Sequence, residues 1–181
     1  MISLTPSSHS TPMLVIGWGS ELRGDDAAGL VFARRLEAEA IPGVEVAVVP
    51  QLTPELAWDV AGAEQVVFAD AVVPGSVPGV EDSPVIRHLD PGETISSRFI
   101  PTCVHSLGPE RILELAATLY DKRPQAWVLY LPVFDFDLGL EISPRAEAVV
   151  DQALRIFRAH LCSSLPNVLP DTPAAPIPNL T

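Results

Sequence analysis

Apolar positions along this chain come in two rhythms. Short continuous runs alternate with longer stretches in which they recur every three or four residues. Residues 13–17 (Met-Leu-Val-Ile-Gly) form the first run, the pattern of a central parallel strand covered on both faces. From Asp25 to about Glu39 the period is helical. Leu30, Ala33 and Leu36 share an inner face, with Arg34, Arg35 and Glu37 toward water. Residues 44–49 predict a second strand that ends at Pro50. Thr53-Pro54-Glu55 opens a helix reaching about Ala61: a capping residue, a proline at the first helical position and an acid in the first turn. A third strand lies within 65–72, its apolar run closing at Asp70. Residues 74–84, rich in Pro, Gly and Ser, predict a loop, and 85–89 an edge strand. Gly108-Pro109-Glu110 starts a helix with Ile112, Leu113, Ala116 and Leu119 inward. Residues 126–131 predict a further buried strand, 132–141 an acidic loop, and Ser143-Pro144 the cap of a long last helix. Val149, Val150, Ala153, Phe157 and Leu161 line one face of that helix. Strands alternating with helices define an α/β class: one twisted, mainly parallel β-sheet with helices on both faces. Residues 1–12 are expected to be a flexible N-terminal segment, 13–162 the single folded domain, and 163–181 a Pro-rich disordered tail.

Composition narrows the class. At 181 residues and 48% hydrophobic, the chain has material for one real core. No apolar run approaches the roughly 18 residues that span a bilayer, and residues 1–12 lack the apolar centre of a signal peptide. Cys103 and Cys162 are the only cysteines, which speaks against a disulfide framework and for a cytoplasmic protein. A net charge of −12 argues against nucleic acid or an anionic membrane as partner.

The first strand runs into Gly17-Trp18-Gly19-Ser20-Glu21-Leu22-Arg23-Gly24-Asp25-Asp26-Ala27-Ala28-Gly29. Gly19 and Gly24 have the spacing of a phosphate-binding loop, but Asp25 and Asp26 stand where phosphate chemistry needs Lys and Ser or Thr. Two carboxylates repel a triphosphate and attract a cation. In an open α/β sheet, sites lie at the carboxyl ends of the strands. That rule selects Glu21, Asp25 and Asp26 after the first strand and Asp70 after the third. It also selects Cys103 and His105 ahead of a helix, and Asp135 and Asp137 after the last strand. One acid of the 25–26 pair suffices to cap the following helix. Asp25 is assigned to the cap, and Asp26 is left for the site. Asp70 alone fits a loop-capping role as well as a functional one. Asp26, Asp70 and His105 together make a hard-to-borderline donor set that suits a divalent first-row metal and leaves coordination positions open.

Other chemistries fit less well. A dinucleotide fold needs G-x-G-x-x-G and an acid after the second strand, where this chain has Val49-Pro50-Gln51. Cys103 and His105 lack an orienting third group for a cysteine hydrolase. Neither G-x-S-x-G nor H-E-x-x-H occurs.

Four segments, in this order, resemble the nickel–iron hydrogenase maturation endopeptidases: 14–29 with its acidic pair, Phe68-Ala69-Asp70-Ala71-Val72, residues 102–113 with His105, and Leu131-Pro132 through Gly139-Leu140 to Ser143-Pro144. The resemblance covers roughly residues 13–161. The chain departs from the family pattern at Ser20, where Asn is usual, at Ala27, where Gly is common, and in its more acidic 133–140 loop.

The resemblance implies an endopeptidase that removes the C-terminal extension of the hydrogenase large-subunit precursor after nickel insertion. It implies Asp26, Asp70 and His105 as nickel ligands and catalytic residues, with nickel presented by the substrate and the resting enzyme largely metal-free. It also implies a monomer acting in the cytoplasm. The alternative is a non-catalytic nickel-handling or docking protein for hydrogenase assembly. A nucleotide-binding protein ranks behind both.

Overall fold

A computed structural model describes residues 11–89 and 107–164. Five strands form one sheet in the order β2-β1-β3-β5-β4. They are β1 (Thr11–Trp18), β2 (Val44–Val49), β3 (Ala63–Val72), β4 (Val85–His88) and β5 (Gln125–Pro132). The first three pairings are parallel, and β4 runs antiparallel along β5 as the edge. The expected α/β architecture is the observed one.

The helices are α1 (Ala28–Ala38), α2 (Leu56–Gly62), α3 (Pro109–Tyr120) and α4 (Pro144–Ser164). Helices α1 and α4 cover one face of the sheet. Phe32 and Phe157 meet there edge to face at 5.8 Å over Met13, Val15, Val67 and Leu129. Helices α2 and α3 cover the other face, packing Val60, Ile112 and Ala116 on Leu14, Ile16, Phe68 and Val128. Both faces of β1, β3 and β5 are therefore dry, which is why their sequences are continuous apolar runs rather than alternating ones.

Several expectations are corrected. The segment after β1 opens as a short 3-10 turn, Gly24–Ala27, before the α-helix begins at Ala28. Leu119, expected inward on α3, is 61% exposed, because the helix buries only its Ile112–Ala116 stripe. Arg35, expected in water, reaches across to Glu147 and Asp151 of α4 and ties the two helices together. The first strand starts two residues earlier than predicted, at Thr11, and the last helix ends at Ser164. The expectations for residues 1–10, 90–106 and 165–181 lie outside the described residues.

The chain order fixes where a site can form. From β1 the chain passes through α1 to β2 on one side, then through α2 back across to β3 on the other. The carboxyl ends of β1 and β3 thus flank a topological switch point, the usual place for ligands in such sheets.

Candidate functional site

Asp26 and Asp70 sit at that switch point. Asp26 lies in the 3-10 turn after β1, and Asp70 lies on β3 one residue past the Gly17–Ala69 pair. Two glycines shape the gap. Gly29 passes so close to the strand ends that a Cβ there would lie 2.7 Å from the Ala69 carbonyl oxygen and hard against that of Trp18. Gly19, at φ +147°, would drive a Cβ into the Asp26 carbonyl. The 24–29 segment can nestle between β1 and β3 because these positions carry no side chain.

The two aspartates after Gly24 have different surroundings. Asp25 is fully buried and does not cap its own helix, contrary to expectation. Its carboxylate accepts hydrogen bonds from the 133–143 segment instead. The donors are the N–H groups of Phe134 (3.3 Å), Asp135 (3.1 Å) and Ser143 (2.7 Å), and the Ser143 hydroxyl (3.0 Å). The physical reason is a set of orphaned main-chain donors at the end of β5 and the start of α4, which a buried charge satisfies better than one more helix cap would. Ser143 does cap α4 as expected, its hydroxyl accepting from the Ala146 N–H at 3.1 Å.

Asp26 remains for the site. Its Oδ2 accepts the Ser20 N–H at 2.9 Å, which closes the opening loop over it. Burial raises its pKa, against the lowering effects of the Ser20 N–H and the Arg23 charge. Asp70 is more strongly perturbed. Desolvation, then the negative charges of Asp26 and Glu110, push its pKa up to about 8. Some of its surface is still open to solvent, so the group is enclosed but reachable. Two carboxyl groups at the switch point of the sheet, their pKa values raised first by burial, mark a candidate functional site.

Glu110 was read from sequence only as part of a helix start. It occupies the first turn of α3 behind Pro109, and its Oε2 is buried without a hydrogen-bond partner among the described residues. Burial raises its pKa, while its own main-chain N–H opposes the shift. The Gly-Pro-Glu signature located the helix, but nothing in it revealed that the acid would act on Asp70.

The remaining candidates separate from this pair. Glu21 pairs with Arg34 on the outer side of α1. Asp135 supports its own loop, its carboxylate accepting the Asp137 N–H at 3.0 Å. His105 and Cys103 lie outside the described residues. Among the described residues no group of three or more His, Cys, Asp or Glu side chains is gathered closely enough to hold a metal ion. The two acids fit a cation by their chemistry.

The fold and the paired acids place the chain in the class of single-domain α/β proteins with an acidic switch-point site. Solved structures that share this fold include several hydrogenase maturation proteases, the family that the sequence resembles. The hydrogenase maturating endopeptidase HybD from E. coli matches with a TM-score of 0.69 at 22% identity, over 85% of this chain and 94% of that one. The [NiFe] hydrogenase maturation protease HybD from Thermococcus kodakarensis matches with a TM-score of 0.61 at 24% identity, over 82% and 98%. The maturation protease HycI from Thermococcus kodakarensis KOD1 matches with a TM-score of 0.61 at 22% identity, over 90% and 97%. At these identities the likeness is one of fold. No protein-family model matches the chain, and no curated protein matches it in sequence. Among the described residues no helix is long and apolar enough to cross a membrane.

Proposed function

We propose that this chain is an endopeptidase that removes the C-terminal extension of the nickel–iron hydrogenase large-subunit precursor after nickel insertion. The observation that carries the proposal is the placement of Asp26 and Asp70 at the switch point of a fold shared with HybD and HycI. The four resembling segments support it, because they include both acids and occur in family order.

In this reading nickel arrives in the precursor and is the feature recognised. Asp26 offers the metal the carboxylate oxygen that Ser20 leaves open. Asp70 would release its proton to solvent and become an anionic ligand, the cation's charge offsetting the desolvation and the Asp26 and Glu110 charges that raise its pKa. His105 is the third ligand. It stands two residues before Leu107 in sequence, and the helix that follows carries Glu110 within electrostatic reach of Asp70. Two carboxylates and one imidazole leave coordination positions open, which suits an enzyme that meets its metal on the substrate. Nickel held there would polarise the scissile carbonyl or lower the pKa of a bound water. The enzyme would act as a monomer in the cytoplasm.

The test is a processing assay on nickel-loaded and nickel-free precursor, read as a mobility shift. Cleavage of the nickel-loaded form alone is expected. Tight binding of the precursor without cleavage would favour a nickel-handling or docking protein.

A further inference from the structure

The 3-10 turn that carries Asp26 is stitched to the loop after β5. Arg23 and Gly139 form a parallel bridge, in which the Gly24 N–H donates to the Gly139 carbonyl at 3.0 Å and the Gly139 N–H to the Leu22 carbonyl at 3.2 Å. The bridge sets Leu22 against the segment in which Leu138 and Leu140 flank Gly139. These three leucines are 63%, 90% and 78% exposed, in a protein whose other leucines are mostly buried. Isolated apolar side chains at a surface need no explanation, but three gathered on one hydrogen-bonded ribbon do.

Three observations indicate what covers them. Among the described residues no main-chain hydrogen bond engages the N–H of Leu138 or Leu140, so the outer edge of the ribbon can pair with an incoming extended chain. The ribbon is continuous with the site, since the Asp26 N–H donates to the Arg23 carbonyl at 3.0 Å. Three exposed acids, Asp135, Asp137 and Glu141, bracket Leu138 and Leu140, against the single basic residue Arg23 within the ribbon. A second copy of the chain would bring the same acidic flanks together and repel, whereas a basic, apolar segment would be attracted.

We propose that the Leu22–Leu138–Leu140 ribbon is the docking edge for an extended, apolar and net basic segment of the protein substrate, leading its scissile bond toward Asp26. This rests on the endopeptidase reading above. Burying two exposed leucines against a partner is worth about tenfold or more in affinity.

The experiment uses the full chain carrying Leu138→Ser and Leu140→Ser, with nickel-loaded large-subunit precursor as the probe. Kd, KM and kcat are measured beside the parent protein, and thermal melts check folding. Expected are a Kd and a KM raised about tenfold or more, with kcat held within about twofold. If the parent cuts the precursor and the variant shows an unchanged KM, the docking inference falls and the endopeptidase reading stands. If the parent binds without cutting and the variant binds more weakly, the endopeptidase reading falls and the docking edge stands. If the parent neither binds nor cuts, both fall. A photo-crosslinker at position 138 should couple to the precursor. Coupling to a second copy of this chain instead overturns the inference.

Discussion

Ser143 is joined twice to Asp25: its N–H donates to Oδ1 at 2.7 Å and its hydroxyl to Oδ2 at 3.0 Å, across 118 positions of sequence. The pair ties the segment after β1 to the start of α4. Asp25→Ala would leave the N–H groups of Phe134, Asp135 and Ser143 without their acceptor, at a cost of about 3–5 kcal/mol. A denaturant melt measures this loss. Asp26→Ala, a few ångströms along the chain, should cost less than about 1 kcal/mol, because it removes one partly buried hydrogen bond and relieves a repulsion. Equal losses for the two variants would contradict the division of roles.

The Asp70 carboxyl supplies a pH signature. Its folded pKa, about 8, lies above the ordinary value of 3.8, so the folded state keeps a proton that the unfolded chain releases. Stability must then fall as pH rises between about 4 and 8 and level off above. Asp70→Asn removes that decline. It should leave stability near pH 4 unchanged and raise it at pH 8 by up to about 5 kcal/mol in the metal-free protein, read from melts across the range. A variant less stable than the parent at pH 8 would contradict this.

Gly29 tests the geometry of the gap. Gly29→Ala drives a methyl into the Trp18 and Ala69 carbonyls, and should destabilise by roughly 1–3 kcal/mol and depress cleavage by moving Asp26. Gly62→Ala is the control, since a Cβ there meets nothing within 4 Å. Indistinguishable melts for the two alanine variants would argue against the close approach.

Much of this was legible in the sequence, for physical reasons. Continuous apolar runs announced buried parallel strands, and Gly108-Pro109 and Ser143-Pro144 announced helix starts that the structure reproduces. The strand-end rule placed Asp26 after β1 and Asp70 at the end of the third strand, where the structure has them, because it needs only element order. The role of Asp25 was not legible, because local sequence cannot tell a helix cap from an acceptor for donors more than a hundred residues away. Glu110 was missed for the same reason: its effect on Asp70 depends on tertiary placement of the first turn of α3. Leu119 was misjudged because helical periodicity gives a face but not its width.

The most direct test of the central claim is proteolytic processing of the nickel-loaded large-subunit precursor by the parent protein, Asp26→Asn, Asp70→Asn and His105→Ala. Cleavage by the parent, and a loss of at least about 100-fold in each variant with folding intact, is the predicted result. Cleavage at the parental rate by Asp26→Asn or Asp70→Asn would contradict the site, and no cleavage of nickel-loaded precursor by the parent would contradict the function.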